Sequence, residues 1–319
     1  MISVLITAWK EEKTIGKCLE CIINRDYSGI QDEYEILLAC PDNETLIAAK
    51  KIITHFKVED KFRHIKDPGE GKNIALNLLM DNAKGDIWVF TDGDVFFEKN
   101  CVKNLIEKIL KDNYDIVSAR PKAIDKKDNF MHYIGNLLAD AAHHKRLVSS
   151  QSVGLDNKFS SVTNIKQGFF PVSGYGYAMK KTDIRLPKDC LADDAYISYV
   201  MYNQNKKFGY AQDAIVYVKY PDNLRDYFIQ KKRSAGAYVQ LWKYGIVNKN
   251  NITRSFKKEL EYFWFPLKYA SNLRELIWSL QLYPIRLLQW LIIFWEQKIL
   301  KKNLMKNGSW ARVESTKEY

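Results

Sequence analysis

The stretch Ile87-Trp88-Val89-Phe90-Thr91-Asp92-Gly93-Asp94-Val95-Phe96-Phe97 is apolar at both ends and sets two carboxylates around a glycine in its middle. Residues 87–90 do not alternate polar with apolar, the mark of a strand covered on both faces, as strands of parallel sheets are. Working outward, residues 71–83 have helical spacing and close on Lys84 and Gly85. Residues 2–8 form a continuous apolar run of strand length, and 12–23 recur at helical spacing through Ile15, Leu19, Ile22 and Ile23. Residues 35–40 repeat the strand and 45–56 the helix. Alternation of this kind predicts an α/β fold, a mainly parallel sheet flanked by helices, with Asp92 and Asp94 after its third strand. Ligands of such sheets bind beyond the carboxyl ends of the strands, so the two acids are expected to face a cleft rather than the core.

Composition agrees with a folded globular chain: 319 residues, 46% apolar and 27% charged. The five cysteines, Cys18, Cys21, Cys40, Cys101 and Cys190, show no disulfide spacing and suggest a reducing compartment. The opening run ISVLITAW is short and meets Lys10, Glu11 and Glu12 at once, which does not fit a secretory signal. The net charge of +11 is uneven. Residues 1–224 carry 31 basic and 31 acidic side chains, whereas 225–319 carry 18 and 7. An anionic partner of the C-terminal part is the expectation, a membrane surface rather than nucleic acid.

Two carboxylates flanking a glycine can offer oxygens to a hard cation such as Mn²⁺ or Mg²⁺, whose remaining positions substrate phosphates fill. Such an ion would favour departure of a diphosphate, because it meets more negative charge in the transition state than in the ground state. Loops and helix caps also produce Asp-X-Asp. The same residues, FTDGDV (90–95), fit the nucleophile motif of haloacid-dehalogenase-like phosphatases, in which Asp92 would be phosphorylated, although that motif normally follows a first strand. Lys72 opens a predicted helix, so its ammonium and the helix N-terminus are expected to face the same phosphates. His132, His143 and His144 lie in a helical stretch and read as polar-face residues rather than metal ligands.

Several further segments join this one. GKNIALNLLMDNAKGDIWVFTDGD (71–94), ITAWKEE (6–12), CPDNET (40–45), LADDAYIS (191–198) and PDNLRDYFIQKKRSAG (221–236) stand in the order and spacing of glycosyltransferase family 2, which the chain resembles over roughly its first 236 residues. The resemblance implies a GT-A fold, a nucleotide-diphosphate sugar as donor, a divalent metal and inversion at the anomeric carbon. It implies donor binding by Ala8, Glu11, Asp42, Lys72, Asp92, Gln230 and Arg233, metal binding by Asp92 and Asp94, and Asp194 as the base that takes the acceptor proton. Acceptor contacts fall to Gly174, in a loop resembling the family's Ser-Gly turn, and to Asp193, which replaces the family's Glu. Ser234 stands where the polysaccharide-synthase branch has a tryptophan, and Tyr238 and Trp242, at four-residue steps from it, are candidates to supply the missing stacking face.

Beyond residue 236 the chain turns basic and aromatic. The segment 275–302 has ten uncharged residues before Arg286 and nine after it, too few on either side for the ~20 that span hydrocarbon. Trp278, Leu282, Ile285, Leu288 and Ile292 recur at helical spacing, with Trp290 and Trp295 nearby and Arg274, Arg286, Lys298, Lys301 and Lys302 as cations. That pattern fits a helix lying in a bilayer interface, and equally a helix packed on the catalytic domain or at a dimer seam. The expected organisation is a GT-A domain over 1–236 and a helical, membrane-associating region over 237–319. The expected function is metal-dependent transfer to a glycan or lipid-linked acceptor, by a protein peripheral on the cytoplasmic face of the cell membrane; a non-enzymatic membrane-binding module is the other class to weigh.

Overall fold

A computed structural model describes residues 1–24, 33–151, 169–249, 251–296 and 313–317. The strands are β1 (Ile2–Thr7), β2 (Tyr34–Cys40), β3 (Phe62–Lys66), β4 (Ile87–Asp92), β5 (Phe96–Phe97), β6 (Ile116–Ala123), β7 (Tyr177–Lys180) and β8 (Phe208–Val218). They form one sheet in the order β3-β2-β1-β4-β7-β6-β8-β5. The helices are α1 (Ile15–Ile23), α2 (Asn43–Phe56), α3 (Lys72–Asn82), α4 (Cys101–Lys111), α5 (Phe130–Gln151), α6 (Asp193–Asn203), α7 (Leu224–Lys243), the short α8 (Phe256–Leu260) and α9 (Phe265–Tyr269), and α10 (Leu273–Phe294).

The half of the sheet from β3 to β4 is parallel, as the unbroken apolar runs of β1, β2 and β4 predict. Successive residues of β4 show why alternation is missing: Ile87 and Val89 enter the core under α1 and α2, while Trp88 and Phe90 enter the core under α3. Register then fixes the site. Thr7 at the end of β1 pairs with Ala39 on one side and Asp92 on the other, so three carboxyl ends share one edge.

Three features differ from the sequence reading. Asp92 ends the fourth strand, not the third, because FRHIK forms β3 at the sheet edge, where half-burial tolerates charge. The sheet is mainly parallel as expected, but it also holds antiparallel strands that were not foreseen: β7 between β4 and β6, and β5 against β8. The apolar stripe expected on the last helix is divided. Trp278, Leu282 and Ile285 pack on Tyr133 and Tyr227 of α5 and α7, whereas Leu288 and Ile292 are exposed.

The exposed face of α10 is instead Leu273, Ile277, Leu280, Leu287, Leu291 and Phe294, spaced by threes and fours except across Pro284. Arg286 does not reach outward either; it pairs with Glu259 and donates to the Tyr227 hydroxyl at 3.1 Å. Among the described residues α10 is the one helix long and apolar enough to cross a membrane by length and composition. The Tyr133 and Ser279 hydroxyls, 2.7 Å apart, tie it to α5. Lys298, Lys301 and Lys302 lie outside the described residues. Helix α7 runs through position 236, where the catalytic part was expected to end.

Candidate active site

At the shared strand edge Asp92 is held from two sides. The Thr7 hydroxyl donates to it at 2.7 Å, and Lys72 Nζ lies 2.7 and 2.9 Å from its two oxygens. Lys72 can reach because α3 starts at that residue, after Gly71 with φ +116°, a backbone conformation that disfavours other residues. The same ammonium lies 3.6 Å from Asp193. Burial works against the charge of Lys72, but Asp193 and Asp92 outweigh it and hold its pKa above the usual lysine value. Burial likewise opposes the Asp92 carboxylate, and Lys72 and Thr7 bring its pKa below the usual range. This pair is charged.

Asp194 differs. Its Oδ2 accepts the Gly174 N–H at 3.0 Å and its Oδ1 the Ala195 N–H at 2.8 Å, while Ile197 and Met201 bury the helix it opens. It does not cap α6, whose N-cap is Ala192. Burial, then the neighbouring Asp193, raises its pKa to about 6; the two N–H groups and Lys72 act the other way. A carboxyl poised near neutrality on a cavity wall is suited to proton transfer. Gly174 permits the approach, since a Cβ there would stand 3.1 Å from Asp194 Oδ2.

Asp94 belongs to a second cluster. Lys317 Nζ donates to Asp94 Oδ2 at 2.6 Å and also binds Glu11, so residues 313–317 return to the sheet edge; Ser315 secures them through Asp226 at 2.7 Å. Burial and then Asp94 raise the pKa of Glu11 to about 8, with Lys317 pulling against them, and Glu11 Oε2 is buried without a hydrogen-bond partner among the described residues. Gly93 serves this packing: a Cβ there would stand 2.8 Å from the Ala8 methyl. Its smallness admits Ala8 and Glu11. Asp42 caps α2 through the Thr45 N–H at 2.9 Å and accepts the Lys10 N–H at 2.9 Å, which locks the loops after β1 and β2 together.

A cavity of about 1250 Å³ opens beside these groups. Lys72, Asp92, Gly174, Asp193, Asp194 and Arg233 line it, and so do Gln230 and Tyr238. Ala8, Glu11, Asp42 and Asp94 lie outside its lining, as does Trp242, which is 44% exposed. Steps of four residues drift about 40° around a helix with 3.6 residues per turn, and two of them carry Trp242 off the face that holds Ser234. The Tyr238 hydroxyl is engaged by Thr253 at 3.1 Å. Sequence reading missed Lys317, Arg146 and Arg254, each distant from any motif; the basic bias of the C-terminal part hinted at Lys317 and Arg254, and nothing in the sequence hinted at Arg146.

Among the described residues no three His, Cys, Asp or Glu side chains form a metal cage. Divalent cations that complete their shell with substrate phosphates need only one or two carboxylates. Asp92 and Asp94 meet that number, and beside them Asp94 raises the pKa of Glu11, whose buried Oε2 has no hydrogen-bond partner among the described residues; a cation relieves such crowding of carboxylates, so the residues fit such an ion.

The family model described as Glycosyl transferase family 2 matches residues 3–169, just over half of the chain. Among curated relatives, glycosyltransferase GlyA of Streptococcus pneumoniae serotype 4 is 20% identical over 250 residues, 77% of this chain and 33% of that protein. The Methanococcus voltae dolichyl N-acetyl-alpha-D-glucosaminyl phosphate 3-beta-D-2,3-diacetamido-2,3-dideoxy-beta-D-glucuronosyltransferase is 28% identical over 200 residues, 62% of this chain and 58% of that one. The chain thus spans a third to three fifths of the length of these two relatives. The structure of the mannosyltransferase PcManGT from Pyrobaculum calidifontis, in complex with GDP-Man and Mn²⁺, superposes with a TM-score of 0.60 at 18% identity, covering 94% of this chain and 87% of that one. At that identity the likeness is one of fold.

Proposed function

The chain belongs to glycosyltransferase family 2, and from that premise we propose that it moves a sugar from a nucleotide-diphosphate donor to a lipid-linked or polysaccharide acceptor at the cytoplasmic face of a membrane. The observation that carries this reading is the connected set Asp92–Lys72–Asp193 beside Asp194, on one cavity at the carboxyl ends of the strands. The phosphatase and non-enzymatic readings of the sequence are set aside with the family.

In this reading Glu11 and Asp42 hold the nucleoside end, with Ala8 in the same loop, and Lys72, Gln230 and Arg233 face the diphosphate. Asp92 and Asp94 hold the divalent ion. Bound there, the ion supplies positive charge to the departing diphosphate. The protein does the rest: Asp194 accepts the proton of the attacking hydroxyl, Gly174 and Asp193 position the acceptor, with Tyr238 and Trp242 as further acceptor candidates, and attack from the face opposite the leaving group inverts the anomeric carbon. The donor and metal of the Pyrobaculum mannosyltransferase, GDP-Man and Mn²⁺, support the first half of this reading. The phosphate-linked lipid acceptor named for the Methanococcus relative supports the second. The exposed apolar face of α10 suits a membrane surface.

Thermal stability measured against a panel of nucleotide sugars with Mn²⁺ tests the reading, because a ligand that binds the folded state raises the melting temperature by mass action. One sugar nucleotide should stabilise the protein and be consumed on addition of acceptor. A panel without any stabilising member would overturn it.

A further inference from the structure

The part of the cavity walled by α5, α7, α8 and α10 holds a charge excess that the transfer chemistry leaves unused. Lys145, Arg146, Lys231, Arg254, Lys258 and Arg286 line it, against Glu259 and Glu261. Both acids are already committed. Glu259 pairs with Arg286 and accepts the Trp290 N–H at 2.8 Å, and Glu261 lies 3.3 Å from Lys258.

Arg146, Lys231 and Arg254 make no ion pair among the described residues, although Glu259 acts on Lys231 and Arg254 from a distance. The Nε and Nη1 of Arg146 are buried with no hydrogen-bond partner among the described residues. Arg254 donates to the Ser234 hydroxyl, and Lys231 lies 5.5 Å above the Tyr227 ring. Burial, then Arg286 and Arg254, push the pKa of Lys231 well below the usual lysine value. Burial also lowers that of Arg254. Buried like charges are costly, and an anion that enters among them recovers the cost.

Two further observations say what kind of anion. The wall continues from this cluster into Leu260, Phe263, Tyr283, Leu287 and Trp290, and Leu260, Phe263 and Leu287 are also open to solvent. Arg146 lies within electrostatic reach of Asp194, so the charged end of an occupant rests near the proposed base. A nucleotide has no use for the apolar wall, and a neutral glycan has no use for the cations.

We infer that this is a subsite for the phosphoryl head of a lipid-linked acceptor, held by Arg146, Lys231 and Arg254, with its hydrocarbon chain along Phe263, Tyr283 and Leu287. The inference rests on the transferase reading above and narrows its acceptor to a phosphorylated lipid.

The test is direct binding of farnesyl phosphate, farnesol and inorganic phosphate to the full chain, with UDP and GDP plus Mn²⁺ titrated in the same preparations. Farnesyl phosphate should bind at least tenfold more tightly than farnesol or inorganic phosphate. Arg146→Gln and, separately, Lys231→Met should each weaken it about tenfold or more, the scale of a lost charge-assisted contact, with nucleotide affinity unchanged. Should Arg146→Gln fail to fold, Lys231→Met decides alone. Farnesol binding as well as its phosphate, inorganic phosphate binding as well as farnesyl phosphate, or nucleotide competing with it would each overturn the subsite. Intact nucleotide binding with no farnesyl phosphate selectivity sinks this inference alone. Selective farnesyl phosphate binding without any nucleotide binding upholds the subsite and sinks the transferase reading.

Discussion

Lys317 Nζ stands 2.6 Å from Asp94 Oδ2, although 223 residues separate them in the chain. This ammonium occupies a carboxylate proposed to hold a divalent ion, so ion and lysine compete for it. Lys317→Met should therefore tighten Mn²⁺ binding, by about tenfold if roughly 1.4 kcal/mol of competition is removed. Asp94→Asn should keep the fold and lose Mn²⁺ binding. Calorimetric titration of Mn²⁺ in the presence of the preferred nucleotide checks both; an unchanged affinity in Asp94→Asn would remove Asp94 from the ion site.

Asp194 makes opposite demands on stability and activity. With its pKa raised to about 6 in the folded state and about 3.9 in the unfolded chain, the unfolded state releases its proton first as pH rises. Stability contributed by this group is therefore complete below about pH 4 and declines as pH rises through 6. Asp194→Asn stays neutral and should be more stable at pH 7 by about 1–2 kcal/mol. Transfer should fall by about 10²–10⁴ with donor affinity kept. In the parent protein kcat/KM should drop below about pH 6 as the base protonates. A variant that loses stability or donor binding would make Asp194 a structural residue.

Gly174 tests how closely Asp194 is positioned. A methyl group there would press on Asp194 Oδ2 at 3.1 Å and Cβ at 3.4 Å, so the carboxylate must shift by a few tenths of an ångström. Gly174→Ala should lower kcat by about tenfold through misplacement of the base, while nucleotide binding holds. Equal losses in kcat and nucleotide affinity would point to a general collapse of the loop.

These residues also show what was legible in the sequence. Strands β1, β2 and β4 of the parallel half could be read because each is buried on both faces and keeps a continuous apolar run, as in Ile87 to Phe90. Strand β3 escaped because an edge strand can carry Arg63, His64 and Lys66. Strand β7 escaped because antiparallel insertion between β4 and β6 is a long-range choice that four residues cannot announce. At the site, Asp92, Lys72, Asp193 and Asp194 were named from short motifs, and packing brings them together. Lys317 and Arg146 were invisible because they reach the site through the return of the chain and the packing of α5, not through local pattern.

Helix α10 has two apolar faces, and they should answer to different measurements. The inward face sets Leu282 among Tyr133, Leu137 and Tyr227, so Leu282→Ala should cost about 2–5 kcal/mol of stability and leave vesicle binding of the folded protein unchanged. Truncation before Glu275 strips that cluster and should destabilise the whole protein rather than release an intact catalytic domain. The outward face carries Leu280 and Leu291, exposed by 53% and 56%. Leu280→Glu with Leu291→Glu should keep the melting temperature yet lower partition onto anionic vesicles by tenfold or more, since burying each leucine contributes about 1.5–3 kcal/mol. Arg286→Gln should act on stability alone, because Glu259 already holds that charge. Neutralising Lys298, Lys301 and Lys302 should cost membrane binding about 1 kcal/mol each, a loss that disappears at high salt while the leucine effect persists. Vesicle binding indifferent to Leu280 and Leu291 would assign the outward face to a protein partner instead of a bilayer.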